Sequence, residues 1–287
     1  MGNKQHTVPV CYLANFGING NEQRLSWIYY YSILDDKGGK IRVDNIAYEN
    51  GFYNIDELGE QKEIIENMYA NMVEPELTDI LKRLYSLIKT NPSERESSIV
   101  RLSNDEKEHM AAIIAMLLTR TRSYRNRYKN ILGQLAQSFP DGVMPHYKKE
   151  DYQRIHTQAI IGFQDSNFFA NLLNDRNWVF LINHTEIPFL TSDNPVVQIN
   201  HSEEEHLPPV DPRITFYCPL SPNIGLEIYH KDTQKTDMGY FDVYLDRLVE
   251  WYNTNISCYC SRHVFSNKDI SEFGYQDLFD GIRKLVK

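Results

Sequence analysis

From about Ile55 to Asn174 apolar residues recur at helical spacing, and from Asn174 onward the chain breaks into short β-rich runs. This change of period, from near 3.6 to near 2, constrains the fold most, because a helical stripe and an alternating strand bury different faces. In the helical half, Ile64, Ile65, Met68, Met72, Leu77, Ile80, Leu84 and Ile88 follow one stripe, which Pro75 divides or kinks. Ser103 with Glu106 spells a capping box. The helix it opens is apolar almost all round in its first half, the pattern of a central buried helix, and is read through to Phe139. A further helix is expected over 149–173. WVFLIN, IPFLTSD, PVVQIN, ITFYCPL and IGLEIYH then read as strands, with helices returning at 240–253 and 271–286 and SCYCSRHVFS between them as a strand. Ahead of the helical block, Thr7 is expected to cap a short helix over 9–16, with Pro9 in its first turn. Residues 24–35 and 40–48 pair around DDKGGK as a hairpin. The order of hairpin, long helical block, mixed or antiparallel β block and terminal helices predicts one α+β domain over residues 1–287.

Composition narrows the function. Apolar residues at 41% and charged residues at 24% are globular values, and no apolar run is long enough to span a membrane. With 39 acidic against 30 basic side chains the net charge is -9, so nucleic acid or an anionic membrane would need a local basic patch. Cys11, Cys218, Cys258 and Cys260 are too few for a disulfide framework, and no CxxC pair offers a zinc site. Cys258 and Cys260 are expected as two small thiols filling a core. No metal site is assigned and the cofactor is left open. The N-terminal residues lack the apolar core of a signal peptide, and His6 stands where a myristoylation signal needs Ser or Thr. A cytoplasmic protein with reduced thiols is expected.

The patch is present. Arg120, Arg122, Arg125, Arg127 and Lys129 fall within ten residues without an acid, interleaved with Tyr124 and Tyr128. On a helix Arg122, Arg125 and Lys129 share one face, and Arg120 and Arg127 the other. Guanidiniums beside stacking rings suit phosphate or nucleic acid; the alternative is a solvated helix face paired with surplus carboxylates. Thr191-Ser192-Asp193-Asn194-Pro195 lies between two expected strands, where a sheet can aim polar groups into a cleft, or where Asp and Asn simply build a turn. Ser86-Leu87-Ile88-Lys89 and Ser192-Asp193-Asn194 imitate two penicillin-binding motifs, but the third would need Lys-Thr-Gly and the chain has Lys235-Thr236-Asp237. HSEEEH at 201–206 lacks the spacing that puts two imidazoles on one helical face, and reads as a solvated loop.

In order along the chain, His6-Thr7-Val8-Pro9 through Tyr12, Leu13 and Phe16, then Phe52-Tyr53, Glu66, Glu74, Arg120-Thr121-Arg122, Trp178, TSDNPV at 191–196, Pro219–Pro222, Asn253 and Arg262 resemble a microbial family known as domain of unknown function 4238. Thr7 replaces the family's usual aromatic, and Arg122 replaces the proline of its common R-T-P, which would leave the helix here unbroken. The resemblance implies one domain and no known reaction. It groups His6, Arg120, Asp193, Asn194 and Asn253 as a shared polar set that would suit a small hydrolytic or transfer site. The expectation is a hydrolase or nuclease-like enzyme for a phosphate-containing substrate, in a defence or toxin-like role. Arg120 and Arg122 would bind phosphate, His6 would move a proton, Asp193 would orient it or bind a cation, and Asn194 and Asn253 would position substrate. The competing expectation is a non-catalytic module that binds nucleic acid or protein through the Arg120–Lys129 helix, with the polar set serving as structure.

Overall fold

The computed structural model describes residues 4–18, 26–54, 64–139, 147–204 and 207–286. Residues 140–146, His206 and the side chain of Glu66 lie outside these. Strand β1 (Lys4–His6) leads into helix α1 (Val10–Ala14), followed by the hairpin β2 (Trp27–Ser32) and β3 (Lys37–Arg42) and by β4 (Tyr48–Asn50). The helical block comprises α2 (Ile64–Met68), a π-helical turn over Tyr69–Val73, α3 (Glu74–Leu87), α4 (Asn104–Thr119), α5 (Arg122–Gln137), α6 (Lys149–Ile161) and α7 (Gln164–Asn174). Strands β5 (Asn177–Asn183), β6 (Thr191–Ser192), β7 (Val197–Asn200), β8 (Ile214–Ser221), β9 (Ile224–Tyr229) and β10 (Gly239–Val243) follow, then α8 (Asp246–Tyr259), β11 (His263–Ser266) and α9 (Gln276–Val286). The architecture is α+β, with the hairpin, helical block and β block in the expected order. No helix among the described residues is long and apolar enough to cross a membrane.

A five-stranded mixed sheet, ordered β10-β5-β9-β8-β7, forms the centre. β5 runs parallel to β10 and antiparallel to β9. Its residues divide by period two: Trp178, Phe180 and Ile182 join one core, and Val179 and Leu181 the other. The first core is closed by α4, through Ala111, Ile114, Ala115 and Leu118, and by Phe169 and Leu173 of α7. The second is closed by Val249, Tyr252 and Ile256 of α8 and by Phe279 and Ile282 of α9. Both faces of the sheet are therefore covered, and each large aliphatic side chain buried in this way contributes roughly 1.5–3 kcal/mol before the entropy of ordering is subtracted. α4 starts with the expected capping box, in which Ser103 Oγ accepts from Glu106 N at 3.2 Å and Ser103 N donates to the Glu106 carboxylate at 2.8 Å.

A second sheet, ordered β3-β2-β11-β6, draws strands from both ends of the chain, and β1 pairs with β4 in a third. α1 is anchored to the β block by one phenol: Tyr12 Oη lies 2.9 Å from Thr191 Oγ1 and donates to Pro219 O at 2.6 Å, fully buried.

Several local expectations are corrected. Pro9, not Thr7, occupies the position before α1; the Thr7 hydroxyl donates instead to Ala47 O. The helix expected over 149–173 breaks at Gly162-Phe163, where Phe163 takes a left-handed backbone (φ 51°). Residues 240–243 are strand rather than helix, because they pair in parallel with β5. α8 runs on to Tyr259, so Cys258 lies on a helix and is exposed, not in a core strand, and Cys260 is half-buried.

Candidate functional site

The arginine cluster is broken at its second residue. α4 ends at Thr119, Thr121 is extended (φ -86°, ψ 160°), and its hydroxyl accepts from Tyr124 N at 3.1 Å, capping α5. A threonine thus makes the break that the resemblance would have assigned to proline, and the helix expected to be unbroken is two helices. The cations consequently face different surroundings.

Arg120 is buried to 1% exposure. It donates from Nη2 to His6 O and from Nε to Tyr53 Oη at 3.4 Å, and its guanidinium lies 3.9 Å from the Tyr69 ring centroid. Its Nη1 has no hydrogen-bond partner among the described residues. Arg122 pairs with Glu49 at 2.8 Å, partly exposed. Arg125 stacks 3.4 Å from the Phe52 ring and donates to Phe52 O at 2.6 Å and His156 Nδ1 at 3.2 Å. A guanidinium can only donate, so Nδ1 is the lone-pair nitrogen and Nε2–H donates to Thr119 O at 2.8 Å. Burial, reinforced by Arg125, pushes His156 down to about 3, which keeps it neutral. Lys129 is exposed.

Because the Arg122–Glu49 pair is wet, Glu49→Gln is expected to change stability by less than about 1 kcal/mol. Equilibrium urea unfolding checks this; a larger loss would mean the pair fixes the β4–α5 contact.

Arg127 differs from its neighbours. It is half-buried and lies 5.5 Å over the Tyr124 ring, and no described residue gives it a hydrogen bond or ion pair. Burial lowers its pKa, yet a guanidinium stays charged at neutral pH. It lines a pocket of about 650 Å³ between α5, α7 and β7. Tyr124, Tyr128, Phe168 and Phe169 supply aromatic walls, and Asn130, Gln134 and Gln198 supply amides. Tyr128 Oη donates to the Asp165 carboxylate, and the buried Gln198 Nε2 has no partner among the described residues.

The other expected site residues hold backbone. Asp193 accepts from Ser261 N at 2.8 Å and His263 N at 3.2 Å, fastening the start of β11. Burial pushes its carboxyl up to about 6, against the pull of those amides and of Arg122. Asn194 donates to Tyr259 O at 3.0 Å and accepts from Thr121 Oγ1 at 3.4 Å, joining the end of α8 to the α4–α5 break. Asn253, fully buried, accepts from Leu190 N at 2.8 Å and donates to Pro188 O and Tyr275 Oη, both at 2.9 Å. The His6 ring lies edge-on to Tyr48 at 5.8 Å. His6 and Arg120 therefore touch, Asn194 reaches the Arg120–Arg122 break through Thr121, and Asn253 is engaged elsewhere.

Sequence reasoning passed over His263. It pairs in register with Ser32 across β11 and β2 and lines a cleft of about 490 Å³ with Tyr30, Asp35, Lys37, Tyr48 and Arg262. Its only sequence signal is a polar residue beside Arg262 at the head of a strand. Gln198 and Asp165 were equally silent, since amides and acids on exposed faces are ordinary.

Among protein families, one model matches residues 4–269 and is described as "Protein of unknown function (DUF4238)". No curated protein and no solved structure matches the chain.

Proposed function

Since that match makes the chain a member of the DUF4238 family, whose description states no reaction, we propose from its own geometry that it is a binding module. Its α5 pocket takes a planar, phosphate-bearing ligand of the nucleotide class, free or within a nucleic-acid strand. One observation carries this reading. Of the five clustered cations, Arg127 is the one both half-buried without a partner among the described residues and directed to an aromatic-walled pocket. A guanidinium screened from water binds a phosphate more strongly than an exposed one, and Tyr124, Tyr128 and Phe168 offer faces for a base. Gln198 Nε2, without a partner among the described residues, and its neighbours Gln134 and Asn130 could read the edge of that base.

A hydrolytic function would require His6 and Asp193 to act on one substrate. The Asp193 oxygens already accept from two main-chain amides, which favours the binding reading.

Binding of mononucleotides, and of end-labelled RNA and single-stranded DNA, tests this across a salt series. Arg127→Gln is expected to weaken binding about 10- to 100-fold, the range for a charge-assisted hydrogen bond. Lys129→Gln should weaken it less than about threefold. Equal losses in the two variants, or no binding by the wild type, would sink the proposal; cleavage of either polymer would favour the hydrolytic reading.

A further inference from the structure

The cleft beside the β2–β3 hairpin uses other residues and stands independently of the α5 pocket. Among the described residues its charged lining is Lys37, Arg262 and a single carboxylate, Asp35. Arg262 pairs with Asp35 at 2.6 Å, whereas Lys37 has no hydrogen bond or ion pair with a described residue. At the rim Lys4 bonds the neutral Asn45 amide at 2.9 Å and lies 4.4 Å over the Tyr48 ring, and no carboxylate among the described residues pairs with it. An excess of cations in a concave setting is unusual on a chain of net charge -9, and such a cleft concentrates small anions.

His263 forms one wall. Its ring packs edge-on against Tyr30 at 6.0 Å and stacks on Phe265 at 6.1 Å, and neither nitrogen is hydrogen-bonded by a described residue. The cleft thus presents an ammonium, a guanidinium already oriented by a carboxylate, and an imidazole with both nitrogens available.

We propose that this cleft is a second binding site, for a tetrahedral phosphate group carried as inorganic phosphate or as a phosphate monoester. Lys37 and Arg262 supply charge, and the imidazole of His263 supplies a directed N–H donor. Asp35 keeps the site selective for a partly protonated phosphate, since a carboxylate facing the ligand accepts a hydrogen bond from the P–OH of the monoanion and repels a fully ionised group. Burial, together with Arg262 and Arg122, keeps the free His263 ring at about 4, while Asp35 pulls it the other way. A bound anion would add to the pull of Asp35.

The test follows the His263 ring resonances at about pH 7 while sodium phosphate, phenyl phosphate or sodium chloride of matched ionic strength is added. A saturable shift with phosphate, phenyl phosphate or both, absent with chloride, is expected, and the two phosphate arms identify which form the site takes. Lys37→Gln changes an exposed side chain that no described residue engages, so the fold should survive, and the apparent affinity should fall about tenfold. His263→Gln, followed by the Tyr30 ring signals, should weaken binding by a similar factor. A shift no larger than that with chloride, or one unchanged in Lys37→Gln, would overturn the proposal. Arg127→Gln should leave this response intact, which separates failure here from failure of the α5 pocket.

Discussion

Arg120→Ala is expected to destabilise the native state by about 3–5 kcal/mol, the range for truncating a large buried side chain. The substitution empties a site closed on all sides, removes the face-on contact with Tyr69, and leaves His6 O without its donor. For a domain of this size that loss corresponds to a fall in Tm of the order of 6–20 °C. Arg120→Met separates packing from charge. No described carboxylate pairs with this guanidinium, although Glu74 attracts it electrostatically, so desolvation of the charge opposes burial throughout. Methionine fills most of the space without that penalty and should lie within about 2 kcal/mol of the wild type. Thermal and urea unfolding of the two variants decide the matter. If methionine were as damaging as alanine, the charge and its bond to His6, rather than the volume, would hold β1 to the α4–α5 joint.

Asp193 gives the second large effect, read through pH. Its carboxyl is raised to about 6 in the native protein and returns to about 3.9 on unfolding. Between those values the native state holds the proton more tightly than the unfolded chain. Stability from this group is therefore fully present below about pH 4 and is lost as pH rises through about 6. A shift of this size is worth roughly 3 kcal/mol. Asp193→Asn should remove that slope, so the stability difference between variant and wild type should move in favour of the variant from about pH 4 to about pH 7. Urea unfolding at intervals across this range measures it. A difference constant with pH, or one moving the other way, would show that the two amide donors outweigh burial and that Asp193 is ionised throughout.

Much of the fold is legible in the sequence, because its strongest signals are local. The Ser103–Glu106 capping box, the all-round apolar face of α4 and the β-branched runs of β5, β8 and β9 each declare themselves within a dozen residues. The errors fall where distant partners decide. Residues 240–243 continue a helical spacing into α8, but pairing with β5 holds them extended. Thr121 carries no helix-breaking signature of its own; its hydroxyl caps α5 while Asn194, far along the chain, bonds to it. The same reason makes the site hard to see. Five cations in a row look like one patch, and only the folded surroundings separate a buried Arg120, a stacked Arg125, a paired Arg122 and a pocket-facing Arg127. His263 owes its environment to Ser32 and Tyr30, which the sequence places at the opposite end of the domain.

The four-stranded sheet has a consequence for synthesis on the ribosome. β2 and β3 emerge well before β11, the strand that pairs with the other side of β2. Until then β2 presents an open edge of main-chain donors and acceptors carrying the aromatic run Tyr29-Tyr30-Tyr31, a template for pairing with other chains. Closure of so long a loop is also entropically slow. The nascent chain therefore carries this adhesive edge until β11 has been made, and the hairpin is a segment for a holding chaperone to protect.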